Sequence, residues 1–163
     1  MRSFARSSSR LRVRSGALPR AGLAIRLLAA GIWLSAGIAK IFDLQHFDAQ
    51  VSAYRLLPSV LVEPFAYALP FVETFAGIYL LVGLLTRATA IFTCLLVAAF
   101  LIAQIQAWAR GLQLDCGCFG QLTSQRVGFW SIARDTALGV PGLLLALWPA
   151  RLLSLDRRLL GVR

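Results

Sequence analysis

Two of the chain's three cysteines stand either side of a single glycine, in the run Leu114-Asp-Cys-Gly-Cys-Phe-Gly120. Cys116 and Cys118 are therefore close without help from tertiary structure, and the intervening glycine tolerates backbone angles that other residues resist. A disulfide across one residue closes a small, strained ring, and strain makes such a bond easy to reduce. Cross-linking near neighbours also removes little entropy from the unfolded chain, so the pair suits electron exchange better than stapling. Two other uses stay open: an inert pair that only shapes its loop, and a soft-metal site for Cu(I) or zinc, which would need further ligands. Those ligands are poorly supplied, because His46 is the only histidine and lies in another loop, while Cys94 falls inside an apolar stretch. Cys94 reads as a small apolar residue and His46 as a solvated loop side chain.

A second set of reactive side chains is ionisable and sits within or at the borders of long apolar stretches: Lys40, Glu73, Arg134 and Asp135. Each is costly there unless it is paired or wet. Opposite signs are available for Lys40 with Glu73 and for Arg134 with Glu73 or Asp135, which predicts a polar cluster beneath the cysteine loop. Such a cluster could bind a quinone head group or relay the protons that accompany dithiol oxidation. It could equally be a set of interhelical ion pairs that fixes a bundle. Lys40 and Arg134, and Arg26 further up the chain, are expected to reach toward the membrane interface with their long side chains.

These residues need elements to hold them, and the composition says which. The chain has 163 residues, of which 58% are hydrophobic, with a mean hydropathy of +0.72. An ordinary soluble domain is nearer about 45–50% apolar. Four stretches approach the ~20 residues that a helix needs to cross a bilayer, at about 21–42, 64–86, 88–109 and 127–150. The third, ATAIFTCLLVAAFLIAQIQAWA, is uncharged from Ala88 to Ala109 with an arginine at each end. The fold class expected is all-α: an integral membrane four-helix bundle over residues 21–150.

The net charge of +10 invites a nucleic-acid reading, but its distribution argues against one. Six arginines lie in the acid-free first twenty residues and four follow the last apolar stretch. That is the pattern of the positive-inside rule. With both termini in the cytoplasm and four spans, eleven basic residues face inward and four, Lys40, Arg55, Arg110 and Arg126, face or border the outside. Residues 1–20 are expected as a disordered basic cytoplasmic tail that touches anionic lipid, and residues 151–163 as a short basic cytoplasmic tail. An Arg- and Ser-rich mitochondrial presequence is the competing reading of the first segment.

On that topology the cysteine loop, about 110–126, is extracytoplasmic, where oxidation permits a disulfide. Trp108 and Trp130 flank it and Trp148 lies near the opposite face, as interfacial aromatics do. The first loop, about 43–63, places Phe47, Val51, Tyr54, Leu57 and Val60 at helix-like spacing, which predicts a short amphipathic surface helix ended or bent by Pro58. Only Leu85–Ala88 joins the second and third stretches, which predicts a helical hairpin in contact. Gly31, Ser35, Gly37, Ala76 and Gly77 would let the first two helices approach closely. No internal repeat or second domain is visible.

With GIAKIFD (Gly37–Asp43), LPFVETFAGIYLL (Leu69–Leu81), RGLQLDCGCFG (Arg110–Gly120) and SIARDTAL (Ser131–Leu138) in view, the chain resembles the MauE family. That family is named for methylamine utilisation and sits within the wider DoxX-like group of four-helix membrane proteins. The resemblance spans residues 21–150, and DCGCFG is its most specific run. One departure is visible: the family pattern has Arg followed by Asn in the last span, and here Asp135 takes the second place. The resemblance implies a multi-pass protein of the bacterial inner membrane that assists maturation of the disulfide-rich small subunit of methylamine dehydrogenase. A thioredoxin-fold periplasmic protein would be its partner, and Cys116 and Cys118 would pass electrons as a thiol–disulfide oxidoreductase. The DoxX-like relationship also allows a non-catalytic membrane subunit or scaffold, and metal delivery is a third reading.

Overall fold

The computed structural model describes residues 8–115 and 126–148, with side chains from residue 20 onward. Cys116, Cys118, Gly117 and the 151–163 tail lie outside the described residues. The described chain is helical apart from turns and one isolated backbone bridge. Five helices follow in order: α1 (Ser8–Ile41), α2 (Leu44–Tyr54), α3 (Ser59–Val82), α4 (Thr86–Ala109) and α5 (Phe129–Leu147).

Three of them are long and apolar enough to cross a membrane: α1 over Arg20–Ile41, α3 and α4. The third has a mean hydropathy of 2.3 in its best window, yet only 17% of that window is buried inside the protein. An apolar helix that the protein does not cover must be covered by something else, and a lipid bilayer fits. Exposed Ile91, Phe92, Leu95 and Ile102 on α4, with Phe71, Phe75 and Ile78 on α3, form that outer surface. The fourth expected span is helical over Phe129–Leu147, but Arg134 and Asp135 lower its hydropathy and it is not among the three.

The second stretch is displaced from its expected bounds of 64–86. Pro58, not Pro64, opens α3, its carbonyl accepting from Leu61 N at 2.9 Å, and Pro64 and Pro70 both lie inside the helix. At the other end Gly83 adopts a left-handed conformation (φ 74°) and donates its N–H to Tyr79 O, closing the helix before the expected 86. Leu85, also left-handed at φ 50°, starts α4. The surface helix of the first loop is present as α2, with Asp43 capping it by accepting from His46 N at 3.2 Å. It ends at Tyr54, ahead of Pro58, where Arg55 turns the chain with φ 51°.

The helices α3 and α4 touch only lightly, so the expected hairpin is not the main packing unit. The closest pairings are α1 with α3 and α4 with α5, joined by α1 against α5. The reason lies in two glycines. A Cβ on Gly37 would meet Pro70 O at 2.8 Å as well as the Thr74 hydroxyl, and one on Gly77 would meet Leu34 Cγ at 2.7 Å. Only hydrogen fits at either position, so α1 and α3 approach backbone to backbone. Gly31 has nothing within 4 Å and belongs to no such contact.

Apolar packing is layered along the bundle. Ala29, Ala30, Trp33, Leu80, Ala90 and Leu145 form one cluster; Phe47, Ala66 and Leu69 form a second beneath α2. A third gathers Ala107 and Val127 with Tyr54, Leu112 and Leu114, so the end of α2 packs on the base of the cysteine loop.

Candidate functional site

Charges placed in apolar helices must find one another, and here they do. Lys40, in the last turn of α1, donates from Nζ to both Glu73 carboxylate oxygens on α3 at 2.7 Å. Both side chains are at most 2% exposed. Lys40 also lies 5.3 Å from the ring centroids of Phe47 on α2 and Phe100 on α4, within cation–π range. One ammonium thus ties together four helices. The expected reach of Lys40 toward the interface does not occur: Glu73 satisfies it inside the bundle, and Phe47 of α2 packs over it. Arg26, 2% exposed on α1, is likewise buried rather than extended outward. Arg134 keeps some exposure, 26% of its side chain.

On α5, Arg134 Nε donates to Asp135 Oδ1 at 2.9 Å, and Gln104 Nε2 on α4 donates to Asp135 Oδ2 at 2.6 Å. Ser131 continues the chain, its hydroxyl 3.2 Å from Gln104 Oε1 and accepting from Gly128 N at 3.0 Å. Lys40, Glu73 and Asp135 line one small cavity of about 60 Å³, with Trp33 and Phe100 among its walls. Of the four charges named from the sequence, Lys40 pairs with Glu73 and Arg134 with Asp135, and three of them line this one cavity. Gln104 and Ser131 are not singled out in the sequence, because an uncharged polar residue in an apolar run is a weak signal, shared here by Gln106 two residues further along α4.

The cluster lies at the end of the bundle that carries the cysteine loop. Val127 N donates to Leu114 O at 2.7 Å and Asp115 bridges Arg126 through the backbone, so the loop is closed one residue before Cys116. Arg110 Nη2 donates to Tyr54 O and anchors the loop base to the end of α2. The two cysteines themselves are outside the described residues. Cys94 packs beside α5, its Sγ 3.6 Å from where a Gly142 Cβ would be, as a small apolar residue would. His46 is not merely solvated: its Nε2 is 2.9 Å from Gln50 Nε2, one turn along α2. Among the described residues no group of three or more His, Cys, Asp or Glu side chains could hold a metal ion.

Described residues that are helical apart from turns and one bridge, with three membrane-length apolar helices and a buried ion pair, define a helical membrane protein. Comparison with known proteins narrows the class. The family model described as methylamine utilisation protein MauE matches residues 18–149, and the chain belongs to that family. It is 34% identical over 133 residues to the methylamine utilization protein MauE of Methylophilus methylotrophus, covering 80% of this chain and 70% of that one. It is 29% identical over 124 residues to the MauE protein of Paracoccus denitrificans, covering 76% and 67%, and 29% identical over 132 residues to that of Paracoccus versutus, covering 77% and 71%. No solved structure matches.

Proposed function

We propose that Cys116 and Cys118 form an outward-facing redox pair that exchanges thiols and disulfides with extracytoplasmic proteins during their oxidative maturation. The observation that carries this reading is the placement of the Cys-Gly-Cys run. In sequence it follows directly on a backbone closure, Val127 N to Leu114 O, which joins the two described ends of the loop. A loop whose two ends are tied together leaves only a short segment between them to meet a partner. In this reading α5 is a fourth span, both termini are cytoplasmic, and the membrane is the bacterial inner membrane, as the arginine distribution favours. Lys40, Glu73, Gln104 and Asp135 hold the helix ends that frame the loop. The client fitting the family is the small subunit of a methylamine dehydrogenase, delivered or reduced by a thioredoxin-fold periplasmic protein.

The test is alkylation of intact cells with a membrane-impermeant maleimide. The redox-pair reading predicts that Cys116 and Cys118 label only after reduction and return to the unlabelled state when reductant is removed. Thiols that stay in one state under every condition, with function kept in the Cys116→Ser/Cys118→Ser protein, would favour the scaffold reading instead.

A further inference from the structure

Between α3 and α4, which touch only lightly, lies a larger cavity of about 250 Å³ roofed by α2. Its walls are apolar and aromatic, with Phe47 and Tyr54 from α2 and Phe100 from α4, while the side chains with polar groups on it are Lys40, Gln50, Gln104 and Tyr54 with its hydroxyl. An apolar cavity of roughly 150 Å³ is enough for benzene. This one holds a six-membered ring with several small substituents.

Two groups on its wall keep hydrogen-bonding capacity that no described residue fills. The Lys40 ammonium has three N–H donors, two of which go to Glu73. The third meets only the faces of Phe47 and Phe100 among the described residues, although the side chain is 1% exposed. The amide of Gln50 is bonded to His46 at one end, and its other end, Oε1, is buried with no partner among the described residues. The cavity thus offers one strong donor and one acceptor with capacity to spare, in a mostly apolar ring-sized space. Because Glu73 already neutralises Lys40, a carboxylate or phosphate ligand would bring an uncompensated buried charge, which is costly. A neutral, planar ring bearing carbonyl oxygens fits.

We propose that this cavity binds the ring of a membrane quinone, with a carbonyl oxygen on Lys40 Nζ and the ring between Phe47 and Phe100. On reduction the quinol hydroxyl gains an acceptor in Gln50 Oε1. The inference rests on the redox reading of Cys116 and Cys118 for its chemistry. Two S–H bonds break and one S–S bond forms, and the two electrons and two protons convert two quinone carbonyls to hydroxyls. Tyr54 gives the physical connection, since it lines the cavity and also belongs to the apolar cluster under the loop base. The site itself stands on α1, α2, α3 and α4 and includes no cysteine.

The experiment is titration of the purified full-length protein in lipid nanodiscs with ubiquinone carrying one isoprene unit, followed by tryptophan fluorescence. Ala103→Phe fills the cavity wall and should weaken binding by at least about tenfold, as should Lys40→Met combined with Glu73→Gln, which removes a charge-assisted bond without leaving a lone charge. Ala98→Phe, on the exposed side of α4 and not on the wall, should leave binding unchanged. Ala99→Phe is a second block from the same wall should Ala103→Phe fail to fold. Wild-type affinity in folded blocking variants overturns the proposal, as does equal displacement of the quinone by a fatty acid. The Cys116→Ser/Cys118→Ser protein separates the two readings. Quinone binding kept with no trace of exchange in the wild type removes the redox reading and leaves the cavity, while exchange kept with no quinone binding removes the cavity.

Discussion

Lys40 and Glu73 show how one pair can both cost and define stability. Each would be expensive alone in an apolar bundle, and the two 2.7 Å contacts with the flanking Phe47 and Phe100 rings compensate for that. Removing one partner leaves the other buried and unpaired, so Lys40→Met should destabilise by about 3–5 kcal/mol while Lys40→Met with Glu73→Gln recovers most of it. Thermal unfolding in detergent checks this, and a double variant no better than the single would contradict it. Asp135 is a second case, because its two oxygens each accept from a different donor, Gln104 Nε2 and Arg134 Nε. An asparagine turns an N–H toward one of those donors, so Asp135→Asn should cost about 1–3 kcal/mol in the same assay. An unchanged melting temperature would show that the surrounding side chains rearrange freely. The sequence made these charges legible because a charge in an apolar run has no innocent explanation. It left Gln104 and Ser131 obscure because their bonds depend on which helix faces which. The outward reach expected for Lys40 and Arg26 failed for the same reason: burial is decided by neighbours, here α2 and the close α1–α3 contact.

Composition alone locates α4, expected at 88–109 and found at Thr86–Ala109, whereas turns set the ends of α3. The expected start of the second stretch at about 64 falls inside α3, since Pro58 six residues before Pro64 already supplies the extended residue that precedes the helix. Which helices pair was hidden, because hydropathy says that a segment is apolar and not which neighbour it meets. The glycines held that information, and only two of those singled out make the contact. Gly37→Ala should push α1 from α3 against the Pro70 carbonyl and lower stability by about 1–3 kcal/mol, whereas Gly31→Ala should be nearly neutral. Equal effects at the two positions would mean that the α1–α3 approach is looser than described.

For the molecule as a whole, the MauE family is shown, and the three membrane-length helices make a bilayer the natural medium. The proposed fourth crossing by α5, with both termini inside, predicts a definite pattern. Alkaline phosphatase fused after residue 57 or 120 should be active outside the membrane, and fused after residue 85 or 163 inactive. Activity after residue 163 would place the C-terminus outside and remove α5 as a span. On the predicted topology the cysteine loop, the α2 roof and the Lys40–Glu73 pair share the outer half of the bundle, so thiol chemistry at the surface and a buried site beneath it become neighbours. The most direct test of that arrangement is capture of the exchange intermediate in cells that carry single-cysteine variants. With Cys116→Ser or Cys118→Ser, one of the two should accumulate as a reductant-sensitive mixed disulfide with a periplasmic protein, resolvable on a non-reducing gel. Absence of any mixed disulfide from both variants, with client maturation intact in the double variant, would contradict the account.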